Sequence, residues 1–523
     1  MANKLELTWY GKDEPIRIEP RLLIENAALS NTAADPDTEN MIIHGDNLLA
    51  LKSLLPQYQE RIDCIYIDPP YNTGNEKWVY NDNVNDPRIK KWLGEVVGSE
   101  GEDLSRHDKW LCMMYPRLKL LHKLLSTDGI LFASIDYNEN FHLRAILNEI
   151  FGTSNFVGEI YWESKTKSQN TATAYNKLQP KAEMIFVYAK NGRKRFNLIH
   201  KAKKEYPFQD TKGTYREHIL EVMNALGVRG RESMVFPISD GFSTVCPPKG
   251  KQWQLGQVQV ATYLEKKDLF IRGGKVIIKM RPEYERDETT EPFWGFFGKD
   301  IGTAESAKKE LTVILGNHGF ETVKPLELIT RLIYHVSNKN SVILDSFAGS
   351  GTTAHAVLNL NKKDGGNRKF ILVEMMNYAD TITAERVKRV IDGYGTGEKA
   401  VEGTGGGFSY YELGAPLFKD DNNLNEDVGE EEIRKYVYYM ETKKPLETKI
   451  SDSRYYLGKN NDTAYYFYYK KDEITTLNHE FLSTINTKAT EYVFYADKCS
   501  LSQEIMKKFN ITFKKIPRDI TRL

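Results

Sequence analysis

Val342-Ile343-Leu344-Asp345-Ser346-Phe347-Ala348-Gly349-Ser350-Gly351-Thr352-Thr353 is an apolar run, then a glycine-rich turn, then residues that open a helix. Glycines let a backbone approach a ligand closely, and a helix N-terminus favours an anionic group. The segments around this stretch repeat the same rhythm. Leu326–His335 has a helical period before it. Thr352–Leu360 is helical after it, Phe370–Val373 is a second strand ended by Glu374, and Ala384–Ile391 is helical again. An acidic side chain at the end of the next strand, about twenty residues past a glycine turn, can accept hydrogen bonds from ribose hydroxyls. The Gly-x-Gly-x-x-Gly pattern of dinucleotide sites is not fulfilled, which argues against a nicotinamide enzyme.

The N-terminal half has the same alternation. Met41–His44 is a short strand running into Gly45-Asp46, and Asn47–Leu55 is helical. Ile62–Ile67 is a strand ending in Asp68-Pro69-Pro70-Tyr71, followed by a polar loop from Asn72 to about Arg106. Trp110, Leu111, Met114, Leu118, Leu121 and Leu125 recur at helical steps, and Asp128-Gly129 is expected to end that helix. Ile130–Ile135 is a strand, Asn140–Ile150 a helix, and Val157–Trp162 with Met184–Ala189 a strand pair. Alternation of this kind requires a doubly wound α/β domain with a mostly parallel sheet. Residues 190–320 break the rhythm and read as an insert. The expected division is an arm over 1–40 with a short helix near Arg21–Leu29, a catalytic part over 41–189, the insert, a second catalytic part over 321–400, a glycine hinge at Gly403–Gly407, and a small α/β domain over 408–523.

Asp68-Pro69-Pro70-Tyr71 sits where open α/β sheets bind ligands, at the carboxyl end of a strand. A strand followed by a Pro-Pro turn would read the same way without any function. The chemical reading is more specific. A base's exocyclic amine is a poor nucleophile because its lone pair is delocalised into the ring. A carboxylate (Asp68) and a backbone carbonyl (Pro69) can accept its two N–H bonds and turn the lone pair outward. Pro69 and Pro70 fix the backbone and remove competing donors. Tyr71 offers a flat face on which an extruded base can stack. The glycine turn suits S-adenosylmethionine, which brings a carboxylate together with a positive sulfonium, and Phe347 can pack on it.

Together the two motifs resemble the amino-methyltransferases that act on DNA. The base-holding motif precedes the cofactor motif, as in the circularly permuted beta group of that family. His44-Gly45-Asp46-Asn47 resembles the strand end whose Asp binds the cofactor's adenine amine, and Lys324-Pro325-Leu326-Glu327-Leu328 the helix start that borders its methionine part. Asp68 to Asn75, Trp110 to Leu118, Phe132 to Asp136 and Phe513 to Asp519 resemble the modification subunits of type III restriction systems. The resemblance implies a site-specific adenine-N6 methyltransferase of double-stranded DNA. Asp68, Pro69, Pro70 and Tyr71 would be catalytic, and Asp46, Asn47, Lys324, Asp345, Phe347, Gly349, Gly351 and Glu374 would hold S-adenosylmethionine. It also implies a target-recognition insert, a homodimer, and a helicase-nuclease restriction subunit as partner. Cytosine-N4 methylation and a non-catalytic DNA-recognition subunit are the alternatives, and methylation of RNA or of a protein glutamine is a more distant one.

The bulk numbers fit without deciding. Net charge is zero, but residues 190–286 carry 20 Lys and Arg against 10 Asp and Glu, a basic middle that suits a polyanion or a plain solvated face. Within it, Arg193, Lys194 and Arg195, like Lys165 and Lys167 before it, could meet phosphates. Cys64, Cys112, Cys246 and Cys499 match no metal spacing and read as reduced thiols of a cytoplasmic protein. No apolar stretch reaches the roughly 18 residues of a membrane span. His107 and His318 read as lone histidines, so no metal is expected. Tyr161-Trp162 could wall the base pocket or sit in the core, Asp136 could contact the surroundings of a flipped base or cap a helix, and the tyrosines of 465–469 read as a strand or as a contact surface.

Overall fold

The computed structural model describes the chain except residues 1–5, 10, 14–19, 73–100, 167–174, 176–177, 193–194, 201–203, 226–229, 286–289, 398–399, 420, 422, 443, 445, 447–453 and 519–523. Thr73 to Asn75, Lys167, Arg193, Lys194 and Asp519, all singled out in the sequence, lie outside the described residues. The main unit, Met1–Asn197 with Trp294–Leu523, is built on ten strands: β1 (Arg21–Glu25), β2 (Met41–His44), β3 (Ile62–Ile67), β4 (Leu125–Ile135), β5 (Phe156–Trp162), β6 (Glu183–Ala189), β7 (Phe296–Phe297), β8 (Val342–Asp345), β9 (Lys369–Glu374) and β10 (Ser409–Pro416). Their order across the sheet is β1-β10-β2-β9-β8-β3-β4-β6-β5-β7. The six strands from β10 to β4 run parallel. β1 and β6 pair antiparallel at either side of that block.

The helices that accompany the sheet up to Asp392 are α1 (Asn47–Tyr58), α2 (Gly101–Leu124), α3 (Asn140–Phe151), α4 (Ala304–Leu315), α5 (Leu326–Val336), α6 (Thr352–Asp364) and α7 (Glu385–Asp392). Strands covered on both faces are near-continuous apolar runs, and the central stretches of these strands are. Ile65, Ile67, Leu131, Ala133, Leu344 and Ile371 share one core with Leu51 of α1, Met114 of α2 and Leu147 of α3. The alternate residues Tyr66, Phe132, Ile343 and Phe370 point to the other face and are equally buried. There α5 contacts β3 and β4, and α6 contacts β9. The sheet is therefore wound on both sides. Among the described residues no helix is long and apolar enough to cross a membrane.

Four expectations fail at the edges. Arg21–Leu29 is not helical: Arg21–Glu25 is an edge strand, antiparallel to β10, because a waiting sheet edge outweighs weak local helix propensity. The helix through Trp110 ends at Leu124, and β4 begins at once with Leu125. Asp128-Gly129 lies in an irregularity of that strand, between the pairings Ile62↔Leu125 and Cys64↔Ile130. The boundary at 408 cuts the sheet, since β10 pairs with both β2 and β1. Nor is the glycine stretch an open hinge. A Cβ on Gly403 would stand 2.2 Å from the Ile391 carbonyl oxygen, and one on Gly407 2.7 Å from that of Asn31. Beyond β10 lies a four-stranded sheet in the order Tyr456–Asn460, Thr463–Phe467, Glu491–Ala496, Ile511–Lys515. Of the tyrosines of 465–469, Tyr465 and Tyr469 are buried with Phe467 in one cluster, Tyr466 is buried in another, and Tyr468 packs partly buried against that second cluster.

The second unit, Leu198–Phe293, is narrower than the insert expected over 190–320. Residues 294–320 contribute β7 and α4, and α4 packs on α7. The second unit has its own four-stranded sheet (Leu269–Arg272, Lys275–Met280, Gly213–Ile219, Phe208–Asp210) and a core around Trp253, Val276 and Ile278. Many of its cations are internally paired. Arg281, 2 % exposed, donates to Asp268 (2.7 Å) and Asp210 (2.8 Å), and Arg216 donates to Glu285. Removing one partner of a buried pair strands the other charge. Arg281→Met is expected to destabilise this unit by about 3 kcal/mol in chemical denaturation. A loss under about 1 kcal/mol would mean that water already solvates Asp268.

Candidate active site

β3 and β8 are neighbours, with Cys64, Ile65 and Tyr66 opposite Ile343, Leu344 and Asp345. Chain order runs outward from this pair in both directions, to β9 on one side and β4 on the other, so this is the switch point of the sheet, where ligands bind. It places Asp68 and the Gly349–Gly351 turn at one crevice, although they are far apart in sequence.

On the β3 side four side chains are tied together. The Tyr71 hydroxyl is 2.7 Å from Asp68 Oδ1 and 3.0 Å from Glu183 Oε2. Lys324 Nζ donates to Asp68 Oδ2 (2.7 Å) and to the Tyr71 oxygen (2.9 Å), and lies 3.4 Å from Glu183. Burial pulls the Lys324 ammonium down, but Asp68 and Glu183 together more than offset it and its pKa is raised. Burial, then the Asp68 charge, pushes the Tyr71 hydroxyl far above its ordinary range, so it is neutral. The Trp110 indole N–H donates to the Pro70 carbonyl (2.7 Å). That engages the carbonyl next to the one the base is expected to use. Trp162 is core, its N–H donating to the Gly302 carbonyl, and Tyr161 is 40 % exposed. Asp136 accepts from the backbone and side chain of Asn138 in a local turn, and burial raises its pKa.

On the β8 side the turn is braced from within. Asp345 accepts from the Phe347 N–H (3.0 Å) and the Thr353 hydroxyl (2.5 Å), so both its oxygens serve the turn itself. Glu374 accepts from the Gly349 N–H (2.8 Å) and the Met376 N–H (2.9 Å). Gly349 and Gly351 have φ of 51° and 77°, and a Cβ on Gly351 would stand 3.1 Å from the Thr383 carbonyl oxygen. Phe347 is buried. The Ser346 hydroxyl is buried with no hydrogen-bond partner among the described residues, an orphan that a ligand's polar group would satisfy. Arg386, wholly buried beneath the turn, donates to the Ser350 and Thr352 hydroxyls.

Asp46 caps α1, accepting from the Leu48 N–H (2.8 Å), and pairs with Arg117 (3.2 Å). Asn47 accepts from Arg117 Nε and donates to the Ser346 carbonyl (3.0 Å), linking α1, α2 and the turn. Lys324 stands with the β3 group, beside the carboxylate rather than apart from it. Sequence reasoning missed Glu183 and Arg386, and it placed Trp110 and Arg117 in a stretch resembling modification subunits without giving either a site role.

A family profile described as a DNA methylase matches residues 62–385, a span that holds Asp68, the glycine turn and Glu374. The chain belongs to the DNA methylase family. Among curated relatives, the StyLTI Mod subunit of a type III restriction-modification enzyme, from Salmonella typhimurium, is 30 % identical over 80 % of this chain and 66 % of that one. The EcoPI Mod subunit of Escherichia phage P1 is 30 % identical over 70 % of this chain and 63 % of that one. The type II methyltransferase M.KpnI of Klebsiella pneumoniae is 31 % identical over 66 % and 83 %. The chain spans about two thirds of the length of those two Mod subunits. Among solved structures, the PvuII cytosine-N4-specific methyltransferase aligns at 13 % identity with a TM-score of 0.35, over 67 % of this chain and 86 % of that one. That likeness is too distant to carry a functional argument.

His107 is not a lone residue in this structure. Its Nδ1 lies 2.6 Å from one oxygen of buried Glu139, and His142 Nδ1 lies 2.7 Å from the other. Asn72, which continues the Asp68 motif, also donates to Glu139. Two ligands of one zinc-like ion stand roughly 3.3 Å apart, given bonds of about 2.0–2.1 Å and tetrahedral angles. The closer spacing here is that of hydrogen bonds, so the cluster reads as a clasp holding the motif's tail to α2 and α3.

Burial pushes the Asp345 carboxyl up to about 7, against the pull of Thr353 and the Phe347 N–H. The folded state then holds this proton more tightly than the unfolded chain, whose pKa is 3.8. Stability therefore falls as pH rises from about 4 to about 7 and levels off above, by a few kcal/mol at most. Asp345→Asn is expected to flatten this slope in denaturation measured without ligand. An unchanged slope would place the titration in another group.

Proposed function

We propose that this methylase transfers the methyl group of S-adenosylmethionine to N6 of adenine in double-stranded DNA, as the modification subunit of a type III restriction-modification system. The carrying observation is the side-by-side placement of Asp68 and the braced glycine turn. The turn fits the cofactor: two glycines bring the backbone close, and Ser346 offers an unsatisfied hydroxyl. Gly349, Gly351, Phe347 and Glu374 would line it, with Asp345 holding the turn's shape. Asp46 and Asn47 would sit toward its adenine end, and Lys324 between it and the base. When bound, the cofactor supplies an electrophilic methyl on a sulfonium.

The protein's own work is positional. Asp68 and the Pro69 carbonyl accept the amine's two N–H bonds, which frees the lone pair toward the donor. Tyr71 stacks on a base swung out of the duplex. Lys324 holds Asp68 in place through its 2.7 Å hydrogen bond to Oδ2. Holding both reactants in line supplies most of the acceleration. Acidic Asp68 favours adenine over the cytosine-N4 alternative, whose enzymes more often have Ser there. The family's permuted strand order, sequence recognition by the basic insert, a homodimer, a restriction-subunit partner and a cytoplasmic setting complete the reading. The buried tyrosines of 465–469 lend no support to assembly through them.

Asp68→Ala is expected to lower methyl transfer by about 3–4 kcal/mol of transition-state stabilisation, the size seen for other preorganised polar groups. Cofactor affinity by calorimetry should stay within a few-fold. Near-normal turnover would remove Asp68 from the chemistry, and loss of cofactor binding would move it to the donor site.

A further inference from the structure

We propose that Glu183 is the end of a proton path that begins at Asp68 and passes through the Tyr71 hydroxyl. The proposal rests on the adenine-amine reading above. In that reaction a bond forms from the N6 lone pair to carbon while the S–C bond pair stays with sulfur. The nitrogen is left with a positive charge and one N–H proton too many. Asp68, already holding an N–H, is the first acceptor. Once base and cofactor are seated they cover Asp68, so a proton held there needs another way out.

The structure provides a continuous one. Asp68 Oδ1 is 2.7 Å from the Tyr71 oxygen, which is 3.0 Å from Glu183 Oε2. Protonated Asp68 hands its proton to the Tyr71 oxygen as the Tyr71 proton passes to Glu183. Tyr71 is neutral before and after, consistent with a hydroxyl held far from ionisation. Glu183 ends as the neutral acid and releases the proton to solvent, to which its side chain is 14 % exposed. Glu183 opens β6, which runs antiparallel to β4, so it stands at the sheet end where β3 delivers Asp68.

The charged and titratable groups facing Glu183 come from four directions: Asp68 and Tyr71 after β3, Tyr66 within β3, Asp136 after β4, and Lys324 ahead of α5. Lys324 bridges both carboxylates, at 2.7 Å from Asp68 and 3.4 Å from Glu183. Its ammonium is itself no acceptor. A carboxylate placed only to hold Lys324 would need no contact with Tyr71, and Glu183 makes both.

The test is a single turnover of the full-length protein with S-adenosylmethionine and duplex DNA. Methyl incorporation and proton release to a pH-indicator dye are followed together. In the wild type the two should coincide. In Glu183→Gln, which keeps the side chain's shape, the first methyl transfer should remain within a few-fold. Proton release should lag it by about tenfold or more and follow DNA release instead. Tyr71→Phe, which keeps the ring, should show the same lag, and formate should restore coincidence in Glu183→Ala. Coincident release in Glu183→Gln and Tyr71→Phe would overturn the path. A lag that formate leaves untouched would also overturn it, showing a structural role for Glu183. Failure of the wild type to methylate adenine would instead sink the underlying reading, whatever the variants do.

Discussion

Three pairings between β3 and β8 carry the site. Cys64, Ile65 and Tyr66 face Ile343, Leu344 and Asp345 across a parallel ladder. Side-chain direction alternates along a strand, so a one-residue slip would turn each apolar residue to the wrong face. Both faces are filled by helices, and the register is held by the core itself. Everything at the crevice follows from it: Asp68 two residues beyond Tyr66, the glycine turn just beyond Asp345, and α6 springing from Thr352. Asp63 reinforces the start of the ladder by accepting from the Val342 N–H at 3.0 Å.

The crevice gathers more negative charge than an apolar sheet end tolerates unaided. Asp68, Glu183, Asp345 and Glu374 all lie there. The chain handles them in two ways. Asp345 and Glu374 are buried, their pKa values raised, and their oxygens receive backbone N–H groups of the turn and its neighbours. Asp68 and Glu183 share the Lys324 ammonium. The first pair shapes the turn. The second is tied together by that shared ammonium and by the Tyr71 hydroxyl. A cationic donor would find a favourable potential between them.

The central strands and the helices between them were legible because burial on both faces leaves unmistakable apolar runs, as at Ile62–Ile67 and Val342–Leu344. Asp68 and the glycine turn stood out because each ends such a run, and the sheet brings the two to one crevice. The edges were not. Arg21–Glu25 is a strand only because β10 offers an unpaired edge, and β10 could be assigned to the sheet only by knowing where β2 lies. Glu183 opens an apolar run like many charged residues. Its meaning depends on the antiparallel direction of β6, which local pattern does not reveal. His107, Glu139 and His142 are a similar case: Glu139 and His142 have helical spacing, but His107 joins them only through the packing of α2. Asp46, Asn47 and Asp345 were marked for the cofactor by position. Their contacts in the structure are largely with the protein, since side chains that shape a binding turn look in sequence like those that touch the ligand.

The most direct measurement is nucleoside mass spectrometry of duplex DNA after incubation with the purified protein and isotopically labelled S-adenosylmethionine. The account predicts label in N6-methyladenine, at one recurrent sequence when the same DNA is read by long-read sequencing. Label in N4-methylcytosine, or none at all from a protein that binds the cofactor, would contradict it.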